Sequence, residues 1–353
     1  MYKKHFDALM ARKIRRKRRK IRSRLKRLLR AMPRPMYWLR YRIGEYCLRG
    51  FVRMLPWIPA RGLSAFASAG ARLTFVILSR YRARMETNLA TALGEELPSL
   101  EERTALIRRA WRNFAQGILE TSTLTYAPKE KILSAVAIEG EEHLERALAK
   151  GKGVIALSAH IGNFTMIGVR LAAAGYPFSV VVKQPRDRGF ARLIDQYRAE
   201  VGIQTISAKP RMEAVRGVLR ALRGNGVVLM IADEFRFGGV EVDFFGCPMK
   251  APRGPAALAL RTGAATVPMF ATRDANDRLT LHIEPEIDLI ASDGLAQAVD
   301  ANTALFTRHL EAMVRRYPDQ WNWLGFRSDG ERPGFGGRVS QPGRRDSREL
   351  ISS

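Results

Sequence analysis

Residues 154–165 read VIALSAHIGNFT, an apolar run followed by a histidine, a glycine and an asparagine. The apolar run has the composition of a buried strand, and the residues after it follow a helical pattern that Gly175 closes. We therefore expect His160 at a junction of strand and helix, held by rigid backbone and facing the cleft at the carboxyl edge of a sheet. A histidine in such a place can act as a general base, although a lone histidine is more often a core or structural residue.

The alternation of strand and helix continues through the middle of the chain. Apolar, β-branched runs recur, and helical patterns separate the earlier ones. This repetition predicts an α/β fold with a mostly parallel central sheet flanked by helices. The predicted strands lie at 154–158, 178–183, 227–232, 265–271 and 279–287, and the predicted helices at 163–174, 188–201, 211–223 and 302–317.

Composition divides the chain into four regions. Residues 1–35 form a basic arm, and residues 36–135 read as a helical region that we expect to associate with a membrane. The α/β domain is predicted over residues 136–328. The tail at 329–353 is rich in glycine, arginine, proline and serine, a composition typical of disorder.

Positive charge is concentrated near the N-terminus. Residues 1–44 hold 18 lysines and arginines and one acid, Asp7, within a formal net charge of +26 for the whole chain. Such a block repels itself, so we expect either a solubilising tail or an arm that binds anionic lipid or nucleic acid. Nucleic acid is the less favoured partner, because the rest of the sequence shows no base-reading motif.

Aromatic and cationic residues alternate just after the arm, at 36–42 and 55–59. Aromatic rings and arginines of this kind suit the headgroup layer of a membrane. The most apolar stretch, 63–79, contains Arg72 and falls short of about 20 clean apolar residues. The sequence therefore predicts a chain that lies on a membrane, peripheral or shallowly inserted, rather than crossing it.

The chain has two cysteines, Cys47 and Cys247, which are far apart and lack the spacing of metal ligands. We expect buried thiols without a special role, and neither a disulfide scaffold nor a metal site. Reducing cytosol is the environment that this cysteine usage favours.

Two acids follow the predicted strand at 227–232. Asp233 and Glu234 would lie at the edge where open α/β sheets place their ligands. They are either site residues or part of an ordinary turn at a strand end. In the His160 stretch, Asn163 is expected to cap the following helix, whose free amide N–H groups suit an anionic substrate group.

Further candidate binding residues follow closely along the chain. Phe244 and Phe245 could wall an acyl chain, or they could simply pack in the core. Lys250, Arg253 and the amides near Gly254 could hold a phosphate at the start of a helix, although Arg253 could equally be a surface cation.

Five blocks of the chain resemble, in order, the bacterial lipid A biosynthesis acyltransferases, which are relatives of the glycerolipid acyltransferases. One such block would be weak, whereas five in the correct order indicate both fold and family. Two tryptophans in the last block, Trp321 and Trp323, are expected to pack on the domain or to meet lipid, with packing favoured. The blocks are residues 82–89 (RARMETNL), residues 158–164 (SAHIGNF), Asp233, residues 244–246 and 253–256 (FFG and RGPA), and residues 318–323 (PDQWNW).

The resemblance implies transfer of a fatty acyl group to a hydroxyl oxygen. Members of the family take the group from acyl carrier protein or acyl-CoA and place it on a glycolipid, at the cytoplasmic face of the inner membrane. By this analogy His160 takes the proton of the acceptor hydroxyl while the oxygen attacks the thioester. Cations or amides near Lys250, Arg253 and Gly254 would hold the acceptor's phosphate, and no metal or redox cofactor is implied.

At one position the chain departs from the family pattern. The motif has an aspartate or glutamate after His and four further residues, and Thr165 stands there. The acid orients the imidazole and stabilises its charged form, and loss of the corresponding carboxylate from a serine-protease triad costs about 10⁴ in rate. Three alternatives follow. Asp233 or Glu234 supplies the charge, or His160 acts unaided on an activated thioester, or the protein is a weak or inactive relative that still binds lipid.

Overall fold

The computed structural model describes residues 60–326 apart from 126, 186 and 236–238, together with residues 39, 41–46, 49–50 and 54. The basic arm predicted at 1–35 and the tail predicted at 329–353 lie outside the described residues, as does Cys47.

The chain divides into two compact units. One comprises Met1–Pro56 and Pro185–Ile194, and the other comprises Trp57–Gln184 and Asp195–Ser353. In the first unit, Arg42 pairs with Glu45 at 2.5 Å, and the ring centroids of Tyr41 and Phe190 lie 5.9 Å apart. The second unit contains the central sheet and the candidate site.

A seven-stranded sheet forms the centre of the second unit, with the strand order β1-β9-β8-β2-β5-β3-β4. Neighbouring strands run parallel except for β8 and β9, which are antiparallel. A separate antiparallel hairpin pairs β6 with β7. The strands are β1 (Val136–Glu139), β2 (Val154–Ser158), β3 (Phe178–Val182), β4 (Ile203–Ser207), β5 (Val227–Ile231), β6 (Val240–Phe244), β7 (Cys247–Ala251), β8 (Ala265–Arg273) and β9 (Leu279–Ile283).

Helices lie between most of the strands and before the sheet. None of the helices in the part of the chain that the structure describes is long and apolar enough to span a membrane. The helices are α1 (Ala60–Ile77), α2 (Ser79–Leu93), α3 (Leu100–Leu124), α4 (Lys129–Ala135), α5 (Glu141–Ala149), α6 (Thr165–Ala174), α7 (Arg188–Glu200), α8 (Arg211–Arg223), α9 (Gly254–Thr262) and α10 (Leu295–Arg316), with a 3-10 turn at Pro318–Gln320.

Both faces of the sheet are covered by helices, and β2 shows why its sequence is almost wholly apolar. Val154 and Ala156 belong to the same buried cluster as Met166 of α6. Ile155, which points to the opposite face, belongs to a second cluster with Leu222 of α8. A strand buried on both sides needs a continuous apolar run rather than an alternating one.

The fold class predicted from the alternating pattern is confirmed: the protein is α/β, with a mostly parallel central sheet flanked by helices. Boundaries differ in places. The predicted strand at 279–287 ends at Ile283, and the helix predicted from residue 163 begins at Thr165. The β6–β7 hairpin was not predicted, because its short strands flank a Phe-Gly turn and carry no long apolar run.

Candidate active site

The pairing of β2 with β5 brings His160 close to Asp233. Ser158, the last residue of β2, pairs in register with Ile231, the last residue of β5. His160 and Asp233 each follow two residues after these paired ends, so the parallel register carries both to the same place at the carboxyl edge of the sheet. The contact between them therefore depends on strand order, which the local sequence of neither segment contains.

His160 and Asp233 make two hydrogen bonds. The ring Nδ1 of His160 lies 2.8 Å from Oδ1 of Asp233, and the backbone N–H of His160 donates to Oδ2 at 2.8 Å. The Asp233 side chain is 3% exposed, whereas the His160 side chain is 32% exposed. A buried carboxyl group thus holds an imidazole that reaches solvent, and in the tautomer that carries its proton on Nδ1 the ring donates to this group.

Trp321 supplies a further donor to the same carboxylate. Its indole Nε1–H donates to Oδ2 of Asp233 at 2.8 Å, and its side chain is buried. The segment around Trp321 lies antiparallel to the His160 loop, where Ile161 and Trp321 form a bridge and Asn322 N–H donates to His160 O at 3.1 Å. Nothing in the local sequence indicated this contact, because the two segments are far apart in the chain.

The turn after His160 requires glycine. Gly162 has a φ of +56°, and a Cβ added to it would lie 2.1 Å from the carbonyl oxygen of Ala271. Its N–H donates to Gln320 O at 2.7 Å. The close approach to β8 and the left-handed backbone together exclude any larger residue here.

A mostly apolar cavity of about 570 Å³ opens beside His160. Thr165 and Glu234 line the same cavity. A volume of this size with a largely apolar wall suits an elongated hydrocarbon ligand. The apolar lining side chains are Phe164, Val169, Phe178, Val180, Val181, Val182, Val201, Ile203, Ala208, Leu229, Met230, Ile231, Pro252 and Pro255.

Thr165 and Glu234 therefore share the cavity with His160, while the carboxylate at Nδ1 belongs to Asp233. Thr165 opens α6 and carries no charge. Of the two acids proposed as substitutes for the missing motif acid, the structure places Asp233 against the imidazole nitrogen and Glu234 on the cavity wall.

The side chain of Asn163 does not cap helix α6 as the sequence predicted, but bonds to helix α3. The residue that precedes α6 is Phe164, and no side chain caps that helix. Asn163 is buried: its amide donates to Gly117 O at 3.2 Å and to a Glu120 carboxylate oxygen at 3.3 Å, and its oxygen accepts from the Thr121 hydroxyl at 3.0 Å. The expected capping role is thus corrected, because the amide is bonded to helix α3; a role of Asn163 in substrate binding stays a prediction.

Asn163 also contacts a partly buried ion pair, in which Arg273 is buried and Glu120 is partly exposed. Glu120 receives two hydrogen bonds from the guanidinium of Arg273, at 2.5 and 2.7 Å. Arg273 also exchanges two bonds with the Gln320 side chain, through its backbone N–H at 2.8 Å and its carbonyl at 2.7 Å. This network joins α3, the end of β8 and the Trp321 segment around the His160 turn.

Phe244 and Phe245 are core residues rather than walls of the cavity, so the first of the two expectations for them is corrected. Phe244 is fully buried, and its ring contacts those of Phe245 at 4.8 Å and Trp321 at 5.6 Å. Trp323 joins the same aromatic cluster, 5.7 Å from Phe245. The cluster packs against Trp321, which in turn donates a hydrogen bond to Asp233. Both tryptophans thus pack on the domain, which was the favoured of the two expectations.

Of the three residues expected to bind phosphate, Lys250, Arg253 and Gly254, only one lies at the cavity. Gly254 lines the cavity. Lys250 instead pairs with Glu241 at 3.2 Å, and Arg253 lies 3.5 Å from Asp300. Neither of these cations is among the described residues of the cavity wall, so the expectation that they bind phosphate beside His160 is not met by this geometry.

Three other cations line the cavity: Lys183, Arg198 and Lys209. Burial lowers the pKa of the Arg198 guanidinium, while Asp195 at 3.1 Å opposes that shift. Lys183 and Lys209 follow the ends of β3 and β4, and that position at strand ends was the available signal for them. Within the described residues, no group of three or more His, Cys, Asp or Glu side chains is placed to hold a metal ion.

Known proteins resemble this chain over most of its length. A phosphatidylinositol mannoside acyltransferase of Mycolicibacterium smegmatis is 28% identical over 291 residues, which cover 78% of this chain and 92% of the relative. A lipid A biosynthesis acyltransferase of Haemophilus influenzae is 24% identical over 308 residues, covering 84% and 91%. The lipid A biosynthesis lauroyltransferase of Escherichia coli is 22% identical over 300 residues, covering 83% and 92%. A match to the family itself runs over residues 32–327 and confirms the resemblance of the five blocks, so this chain belongs to the bacterial lipid A biosynthesis acyltransferases.

Proposed function

We propose that this acyltransferase moves a fatty acyl group from a thioester, acyl carrier protein or acyl-CoA, to a hydroxyl of a glycolipid. The observation that carries the proposal is the His160–Asp233 pair at an apolar cavity of about 570 Å³. The pair provides a general base with its supporting charge, and the cavity provides space for an acyl chain.

In the proposed mechanism, Nε2 of His160 takes the proton of the acceptor hydroxyl as the oxygen attacks the thioester carbonyl. Asp233, bonded to Nδ1, stabilises the imidazolium that forms. The tetrahedral intermediate then collapses, the carbon–sulfur bond breaks, and the thiolate leaves with the proton from Nε2. The products are the acyl ester and the free thiol, and the base returns to its starting state.

The acyl chain would lie in the cavity against side chains such as Val169, Val180 and Leu229. Burial of each methylene contributes about 0.8 kcal/mol, so a long chain binds far more tightly than a short one. The free energy of burying the chain binds the donor, while the polar thioester stays near the imidazole at the cavity opening.

The proposed acceptor is a lipid A-like or other glycolipid. The relatives that support it carry two kinds of name, phosphatidylinositol mannoside acyltransferase and lipid A biosynthesis acyltransferase. Both names describe a sugar-containing lipid, so the common acceptor chemistry is a hydroxyl on such a lipid. A phosphatidylinositol mannoside and a lipid A precursor should therefore be assayed side by side.

We place the protein at the cytoplasmic face of the inner membrane, in peripheral or shallowly inserted contact with anionic lipid. Supporting this, Leu73, Val76 and Ile77 of α1 are exposed, as are Phe114 and Ile118 of α3. Exposed apolar side chains on helices, beside an excess of arginine, suit a headgroup layer. Removal of residues 1–35 should weaken binding to anionic vesicles, whereas preferential loss of DNA binding would point to nucleic acid.

The alternative of an inactive lipid-binding relative was motivated by Thr165. Asp233 weakens that motive, because a carboxylate already lies 2.8 Å from Nδ1. The two functions separate in an assay: the enzyme consumes thioester and adds one acyl group to the acceptor, whereas a binding protein leaves both unchanged.

The decisive experiment compares wild type, His160→Ala and His143→Ala. His143 lies on α5, outside the cavity wall, and so provides a matched histidine control. Wild type and the His143 variant should acylate the glycolipid, and the His160 variant should not. Mass spectrometry of the host's lipids with and without the protein identifies the acyl group and acceptor. Full activity of His160→Ala would refute the proposal.

A further inference from the structure

Lys183 and Lys209 lie on neighbouring strand ends at the edge of the sheet that carries His160. Lys183 directly follows β3, and Lys209 comes two residues after β4. The two strands are parallel, with Val182 paired to Ser207, so their carboxyl ends lie side by side. Both lysines line the cavity that His160 lines.

The two lysines give this part of the cavity an unbalanced positive charge. Among the lining residues that the structure describes, Lys183, Arg198 and Lys209 are cations, and Glu234 is the one carboxylate. Arg198 is paired with Asp195. Neither lysine makes an ion pair with an acid in the described part of the chain. A lysine pair without a counter-charge, beside a ligand cavity, is suited to phosphate.

Strand order sets the separation between these lysines and the reacting centre. β2, β5, β3 and β4 are successive neighbours. With strands about 4.8 Å apart, the lysine-bearing strands lie about 10 and 14 Å from the strand that leads to His160. A phosphate bound there would be connected to the thioester by an arm of comparable length.

We propose that Lys183 and Lys209 bind the phosphate of the pantetheine arm of the acyl donor. This inference rests on the proposed thioester chemistry. The arm is covalently continuous with the acyl chain, so with the thioester at His160 an arm that runs along the carboxyl edge of the sheet brings its phosphate to the lysines. The phosphate is shared by acyl-CoA and acyl carrier protein, so the site serves either donor.

The test compares acyl-pantetheine, which lacks the phosphate, with three donors that carry it. Wild type and the Lys183→Met/Lys209→Met variant are assayed with acyl-pantetheine, acyl-phosphopantetheine, acyl-CoA and acyl carrier protein, all with the same acyl group. A control variant, Lys131→Met/Lys152→Met, removes the same charge outside the cavity wall. Thermal melting of both variants establishes that they are folded.

For the lysine-pair variant we expect the KM for the three phosphate-containing donors to rise about 10- to 100-fold, since each hydrogen bond to a charged group contributes about a tenfold effect or more. Turnover of acyl-pantetheine should match wild type, and the control variant should match wild type throughout. The KM for the acceptor should not change.

Other results would overturn the assignment. An equal loss with acyl-pantetheine would show that the lysines do not recognise phosphate, and a rise confined to acyl-CoA would assign them to its nucleotide phosphates. A rise in the acceptor KM alone would assign them to the acceptor. If wild type transfers the acyl group from none of the four donors, the proposed function itself fails.

Discussion

The indole nitrogen of Trp321 donates a hydrogen bond of 2.8 Å to the carboxylate of Asp233. Asp233 is buried, yet it accepts this bond together with those from the backbone and ring of His160. These three bonds fix the orientation of the carboxyl group beside the imidazole and shield it from water. A carboxyl group that follows a neighbouring strand thus contacts the imidazole, in a chain whose helix begins with Thr165.

Replacement of Asp233 by asparagine should lower kcat strongly. The change keeps the size of the side chain but removes the charge that stabilises the imidazolium and the acceptor that selects the Nδ1–H tautomer. By comparison with the serine-protease triad, a fall of about 10³- to 10⁴-fold is expected. Steady-state kinetics measure it, with Asp293→Asn as a control at an exposed acid. Near-normal turnover would mean that His160 acts without this carboxylate.

Trp321 and Trp323 allow catalytic support to be separated from packing. Trp321→Phe keeps a large ring but removes one donor from a buried carboxylate, a loss of about 1–3 kcal/mol. We expect kcat to fall about tenfold. Trp323 donates instead to Pro318 O at 2.6 Å, so Trp323→Phe should lower the melting temperature and leave kcat nearly unchanged. Equal effects of both changes on kcat would reduce Trp321 to a packing role.

The local features of the site could be predicted from the sequence, since they follow from short patterns. The apolar run of β2 and the glycine after His160 each indicate a strand that turns into a helix. Asp233 was a candidate for the same reason, because it ends another apolar run. The choice between Asp233 and Glu234 required the β2–β5 register, which decides the facing side chain.

Other parts of the site depend on contacts between distant segments. Asparagine is a residue type that commonly caps helices, yet the side chain of Asn163 is hydrogen-bonded to residues of α3. Two adjacent phenylalanines are equally suited to contact an acyl chain and to pack in the core, so residue type alone does not decide between the two roles. The two phenylalanines pack in the core against tryptophans about 80 residues further along the chain. Periodicity and turn chemistry carry no information about such long-range partners.

Introduction of a glutamate at position 165 tests whether the site is degraded or rearranged. Because Asp233 already occupies Nδ1 and the cavity wall is mostly apolar, Thr165→Glu alone should lower kcat, by about tenfold or about 1.4 kcal/mol. In an Asp233→Asn background, the same change should restore part of the lost activity. Thr165→Gln controls for size without charge. A large gain in the otherwise wild-type enzyme would instead indicate a degraded site.

Phe178 should limit the length of the acyl chain. Phe178 lines the cavity at the start of β3, where it pairs with Val227 of β5. His160 lies beyond the other end of β5, just past the pair of Ser158 with Ile231. Val227 and Ile231 are about 13 Å apart along the strand. Phe178→Leu should therefore shift the preference toward longer chains. A Cβ added to Gly168 would lie 2.7 Å from the Phe178 ring, so Gly168→Ala should displace the ring and favour shorter chains.

Competition between thioesters of several chain lengths, followed by mass spectrometry of the product, measures this preference. Phe245→Leu is the matched control, because that ring is buried in the aromatic cluster away from the cavity wall. It should reduce stability without a change in chain preference. An unchanged product distribution in Phe178→Leu would show that the acyl chain ends elsewhere.

The Glu120–Arg273 pair should hold the His160 turn through its contacts with Asn163 and Gln320. Glu120→Gln leaves a buried guanidinium without a counter-charge, which costs about 3–5 kcal/mol. We expect a melting temperature lower by about 10 °C, given about 2–4 °C for each kcal/mol in a domain of this size. In Glu120→Met/Arg273→Met no unpaired charge remains, so most of the stability should return. If kcat in that folded double variant stays well below wild type while KM is unchanged, the pair positions His160. Recovery of kcat together with stability would restrict it to a structural role.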